Sequence, residues 1–141
     1  MRTASTSEGA ERGWRWRAAA LSMAAGLTHI IVSPLYFSQW IGYGAALVTV
    51  AALQGIGAMA LVAGPPHRLF YWAGVVGNGA VVLLWAITRT VGIPFLGPAA
   101  GEVLPVGWPD LLATLIELAL IAHLVVLLVK FSELKKEPLV E

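Results

Sequence analysis

Five strongly polar side chains interrupt the apolar runs of this chain: His29, Gln54, Asn78, Glu117 and His123. Such groups are expensive in apolar surroundings, and where they occur they pair with one another or mark a path for protons, ions or substrates. A carboxyl group beside an imidazole can hold one proton between them, which is the chemistry of a proton relay or a cation site. The same hydrogen bonds could instead serve only to fix helix register, and the residue types allow both readings. Imidazole and carboxylate also suit zinc or copper, which makes His29, Glu117 and His123 a candidate metal set, though no span carries paired histidines four apart. Haem or copper held through His29 and His123 is the redox alternative. No motif demands a cofactor, and the simplest expectation is that none binds.

Spacing says which of these groups share a face. Ser22, Gly26, His29 and Ser33 recur at intervals of four, three and four, as do Asp110, Thr114 and Glu117 at four and three. His123 stands six residues beyond Glu117, about 120° around a helix, so the two cannot both point at one axis. Gly74, Asn78, Trp85 and Arg89 form a further stripe. Counting a rise of about 1.5 Å per residue from the basic end of each run puts His29 and Glu117 about 18 to 20 Å deep, and Gln54 about 15 Å. Asn78 and His123 fall at about 10 to 12 Å. The first three are expected to meet, and the other two to form a second level.

The elements that must position these groups follow from hydropathy. The chain is 58% hydrophobic and 12% charged with a mean hydropathy of +0.79, more apolar surface than a soluble domain of 141 residues could hide. Four segments, about 18–37, 43–63, 69–88 and 111–131, are long and apolar enough to cross a hydrocarbon core of about 30 Å. Lipid leaves no partner for free backbone groups, so the spans must be helices, and the expected fold is an all-α bundle of four transmembrane helices. The tight turn Gly64-Pro65-Pro66-His67-Arg68 predicts helices two and three as antiparallel neighbours, closing a quartet around the polar groups. Glycines at 55 and 57, and at 74, 77 and 79, predict close helix contact, with an unwound binding segment as the alternative.

Orientation follows from the basic residues, which are retained on the cytoplasmic side. Arg2, Arg12, Arg15, Arg17, Arg68, Lys130, Lys135 and Lys136 fall on one side of a four-span arrangement, and only Arg89 on the other. This predicts a multi-pass protein of the cell membrane with both termini cytoplasmic. Trp14, Trp16, Tyr71 and Trp72 belong near the inner boundary, and Tyr36, Trp40, Tyr43 and Trp108 near the outer, as interfacial belts. Residues 1–13, rich in serine, threonine, glycine and charge, read as a disordered cytoplasmic tail and 132–141 as a second cytoplasmic tail, flanking a membrane domain at 14–131. The basic, apolar start lacks a small-residue cleavage site and reads as a retained first helix.

The connection RTVGIPFLGPAAGEVLPVGWPD between helices three and four is rich in glycine and proline yet apolar, and is expected to form an ordered outer loop. Arg89, Glu102 and Asp110 are the ionisable groups at that mouth, and Arg89, out of place by charge, calls for an acidic partner. They could form a salt bridge or the entrance to the polar layer.

With no cysteine, thiol nucleophiles, disulfides and cysteine-ligated metal are excluded, and no phosphate loop or serine-histidine-acid set is present. The net charge of +1 gives no reason to expect nucleic acid. The favoured reading is a non-enzymatic membrane component, an accessory subunit or a handler of protons, metal ions or small solutes. Its partners would be the lipid bilayer, other membrane subunits or further copies of itself. The alternatives are a haem or copper redox protein, and a lipid-modifying enzyme working at the outer mouth through Arg89, Glu102 and Asp110.

Overall fold

The computed structural model describes residues 2–64 and 67–133, with side chains placed for 8–64 and 67–130. They form four helices, α1 (Arg2–Gln39), α2 (Ile41–Ala63), α3 (Arg68–Thr90) and α4 (Trp108–Glu133). Each is long and apolar enough to cross a membrane, and the described residues contain no strand. The helices outrun the apolar segments at several ends. In particular, α1 starts at Arg2, so the stretch 2–13, expected as a disordered tail, is helical despite its serines, threonines and glycines, as an extension of a helix that the apolar span already nucleates. At the other end Ser132 and Glu133 still belong to α4, and the remainder of the expected 132–141 tail lies outside the described residues.

Helix α1 is the centre of the arrangement. Its buried positions Ala18, Ala19, Ser22, Ala25, Gly26, His29 and Ser33 follow the helical repeat and are small except for the histidine. Small side chains let two neighbours approach the same helix closely, and α1 packs against both α2 and α4, with α3 against the far side of α4. A Cβ on Gly26 would lie 3.1 Å from the Ala51 carbonyl oxygen, which shows how near the α2 backbone comes. Opposite sequence directions pair along each contact: Arg15 Nη1 donates to Leu61 O at 3.3 Å and Ser22 Oγ to Gln54 O at 2.7 Å, so α1 and α2 are antiparallel. Gly74 against Leu124 and Arg89 against Asp110 make α3 and α4 antiparallel likewise.

The spatial order is therefore α2, α1, α4, α3, and the expected closed quartet is corrected on one side. Helices α2 and α3 do not pack together comparably, although they are consecutive in sequence. The cause is the distribution of small residues. A Cβ on Gly77, Gly79 or Gly55 would meet nothing within 4 Å, so these glycines do not serve close contact, whereas Gly26 and Gly74 do. Only 6% of the apolar window of α3 is covered, compared with 39% for α4, which leaves α3 as the outlying helix. Pro65 and Pro66 of the connecting turn lie outside the described residues.

Two junctions at the end of the bundle that carries the 91–107 loop (the loop end) matter for the site. Pro34 lies inside α1 and cannot donate to Ile30 O; Ser33 Oγ donates to that carbonyl at 2.9 Å and satisfies it. The single residue Trp40, extended at φ −168° and ψ 137°, separates α1 from α2. The loop itself folds back on the helices, with Leu104 N donating to Thr88 O at 2.9 Å, Gly101 N to Ile93 O at 2.8 Å and Tyr43 Oη to Leu96 O at 2.7 Å. Gly92 adopts φ +73°, and a Cβ there would stand 2.7 Å from Glu102 O, so this turn requires glycine.

Candidate functional site: a buried polar layer below a loop-covered cavity

Each helix sends one polar side chain to a common layer. His29 Nε2 lies 3.0 Å from Glu117 Oε1, joining α1 to α4. Gln54 Nε2 from α2 donates to the same Glu117 Oε1 at 3.0 Å and to Asn78 Oδ1 of α3 at 3.0 Å. Asn78 Nδ2 completes the chain by donating to Gly74 O at 2.7 Å. Glu117 is 1% exposed, and His29 and Gln54 are each 5% exposed, so the bonds are made out of reach of competing solvent and are correspondingly hard to replace. The nearby hydroxyls of Thr28 and Thr114 donate to the backbone oxygens of Ala24 and Asp110.

Seven residues beyond His29 and seven before Glu117, the same two helices make a second contact. Tyr36 Oη donates to Asp110 Oδ1 at 2.8 Å, and Arg89 Nη2 of α3 donates to Asp110 Oδ2 at 2.6 Å and to Tyr36 Oη at 3.4 Å. Seven residues are two helical turns, so the levels are separated by about 10 Å along the axis. The ion pair is sheltered, with the Arg89 and Asp110 side chains 8% and 16% exposed. Arg89 Nη1 also donates to Thr88 Oγ1 at 2.9 Å, while Arg89 Nε and Trp85 Nε1 are buried without an acceptor.

A cavity of about 230 Å³ extends between the two levels, with His29, Thr114 and Glu117 at one end and Tyr36, Arg89 and Asp110 at the other. The loop residues Ile93, Leu96 and Leu104 contribute to its wall, as does Glu102, which is otherwise exposed. That volume has room for several waters or one small solute. Toward the opposite end, which carries the 64–67 turn (the turn end), Ala18, Leu61, Tyr71, Leu120, Leu124 and Leu127 form a continuous apolar cluster. The polar layer therefore adjoins the loop-end cavity at His29 and Glu117, while on the α2 and α3 side Gln54 and Asn78 border a second cavity of about 430 Å³ that is also walled by Leu61, Leu120 and Leu124 of the apolar cluster.

The structure thus gathers His29, Gln54, Asn78 and Glu117 into one layer, with Asn78 joining it rather than a lower level. His123 is not among them. Its Nδ1 lies 2.8 Å from Ala119 O and its ring 4.9 Å from the ring of Trp14, as its 120° offset from Glu117 requires. Trp14 precedes His29 by fifteen residues, about 22 Å of helix, so the two histidines are not placed to ligate one haem or to join Glu117 on one metal ion. Among the described residues, no three histidine or acidic side chains come together. At the loop end Arg89 and Asp110 meet, whereas Glu102 stays apart from their bond.

Tyr36 is the site residue that the sequence reading assigned to an interfacial belt. Its position two turns from His29, matching Asp110 two turns from Glu117, was the available signal, since antiparallel helices that touch at one level touch again at equal steps either way. Comparison with models of known families, with curated proteins and with solved structures finds no match. The functional reading accordingly rests on this geometry.

Proposed function

We propose that the protein is a non-enzymatic integral component of the cell membrane that takes up and releases a proton at the His29-Glu117 pair, exchanged through the loop-end cavity. The observation that carries this reading is the position of the pair: an acid and a base 3.0 Å apart, almost fully buried, lining a cavity that Tyr36, Arg89 and Asp110 also line. An imidazole and a carboxyl at that distance can pass a proton between them without a large movement of either helix. Gln54 holds the carboxyl in place, and Asn78 holds Gln54.

The distribution of basic residues supports a topology with both termini cytoplasmic, which puts the cavity and the 91–107 loop on the outer side. Of the two cavities that border the polar layer, the loop-end one is lined by His29 and Glu117 themselves and the other is not, which supports proton exchange with the outside. Continued transfer inward would need a rearrangement of the apolar cluster at the turn end or further subunits, and the long uncovered face of α3 supports assembly with other membrane helices or further copies of this chain.

Infrared difference spectroscopy on the protein in lipid nanodiscs, with pH as the perturbation, tests the proposal directly. We expect a protonated-carboxyl band that Glu117→Gln removes and His29→Ala shifts in its pH dependence. The same spectrum for wild type and Glu117→Gln would overturn the reading. Vesicles with an internal pH dye then show whether the protein alone dissipates a proton gradient.

A further inference from the structure

Glu117 engages only one of its two carboxyl oxygens within the protein. Oε1 meets His29 Nε2 and accepts from Gln54 Nε2, whereas Oε2 bonds to none of the described residues and yet is not closed off. The second ring nitrogen of His29, Nδ1, is likewise unbonded and open. Both residues line the loop-end cavity and neither lines the cavity on the α2 and α3 side, so these two open atoms face the former.

The charge around that cavity is one-sided. Glu102, Asp110 and Glu117 line it against one permanent cation, Arg89, which is already paired with Asp110 at 2.6 Å. Tyr36, Trp40, Tyr43 and Trp85 share the wall, and aromatic rings attract cations through their π faces. Much of the remainder is aliphatic, including Val32, Leu47 and Leu84. A calcium or magnesium ion takes about six oxygen ligands or more, and a zinc ion about three or four protein ligands. No three histidine or acidic side chains come together among the described residues. An anion would meet the unpaired carboxyl groups. The occupant that matches an open carboxyl oxygen among aromatic and aliphatic side chains is a positively charged nitrogen on a compact apolar body.

We propose that the loop-end cavity binds a small organic ammonium ion, with Glu117 as its counter-ion, in exchange for the proton of the His29-Glu117 pair. The ammonium N–H groups donate to Glu117 Oε2 and to His29 Nδ1, and the apolar body lies among the aromatic side chains. With its proton the pair carries no net charge, and an ammonium ion that replaces the proton one for one leaves that charge unchanged. Holding both at once would leave an uncompensated positive charge in a buried site, which is strongly unfavourable. The volume of about 230 Å³ equals that of about seven or eight waters in the liquid, which suits a cation with a similar number of heavy atoms. The exchange rests on the proton reading above, whereas the cation site stands on the cavity itself.

The test uses the full chain in phosphatidylcholine nanodiscs, titrated calorimetrically with cyclohexylammonium and with cyclohexanol, a neutral molecule of the same shape. We expect the ammonium ion to bind at least about tenfold more tightly than the alcohol, and Glu117→Gln to abolish that preference. Lowering the pH through the range in which Glu117 takes up its proton should weaken ammonium binding about tenfold per unit. Equal affinity of the wild-type protein for the two probes overturns the proposal, with no variant needed, as does a preference that Glu117→Gln retains. A preference that depends on Glu117 but not on pH overturns the exchange and leaves the cation site. A protonated-carboxyl band from Glu117 without ammonium binding overturns this inference and leaves the proton reading.

Discussion

Replacing the His29 imidazole with an apolar side chain isolates the bond on which the polar layer depends. In His29→Leu the Glu117 carboxyl, 1% exposed, keeps Gln54 Nε2 and loses its other partner on Oε1. Breaking a buried charged pair by removing one member costs about 3–5 kcal/mol, because the remaining charge is stranded. A neutral hydrogen bond between membrane helices is worth about 0.6 kcal/mol on average and about 1.7 at most. A pair that shares one proton, with a second donor left on the carboxyl, should fall between these limits. We therefore expect His29→Leu to cost about 3 kcal/mol and the cycle completed by Glu117→Leu and the double variant to give a coupling of about 2 kcal/mol. The double variant, with no stranded acid, should be no less stable than His29→Leu. Unfolding in mixed micelles of a mild and a denaturing detergent, followed by tryptophan fluorescence, measures all four states. Additivity within about 0.5 kcal/mol, as separated residues show, would refute the reasoning, since it would mean that the two side chains do not meet.

The glycines make a second prediction, because a Cβ at Gly26 would press on the Ala51 backbone while one at Gly77 has free space. Gly26→Ala should lower detergent-unfolding stability by about 1–3 kcal/mol, whereas Gly77→Ala should be neutral or stabilising by up to about 1 kcal/mol. At the loop end, Asp110→Leu leaves the Arg89 guanidinium, 8% exposed, with Tyr36 and Thr88 as its remaining acceptors and should cost about 3 kcal/mol or more. Adding Arg89→Met should recover most of that loss in the same assay, which a charge important only for surface solvation would not do. In the loop, Gly92→Ala meets both a positive φ and the Glu102 carbonyl, and should expose the 91–107 segment to limited proteolysis while leaving the unfolding of the helices nearly unchanged.

The sequence alone determined the four helices, because their signal is local: about twenty consecutive apolar residues can satisfy their backbone in lipid only as a helix. It also determined that His29, Gln54 and Glu117 lie at similar depth, since a fixed rise per residue converts position into height. The partner of Arg89 was nearly legible too, with Asp110 on the neighbouring helix near the same end. Height, however, leaves rotation and neighbour order open. The small-residue face of α1 and the single close approach at Gly74 decide that α2 and α4 share α1, and that α2 and α3 stay apart despite their short connection. That order brings Asn78 to Gln54, turns His123 to Trp14, and opens a cleft at the glycines that sequence reading assigned to close contact. These outcomes depend on which helix surfaces interlock, a competition among all pairs of faces at once, and no local stretch of sequence records who wins it.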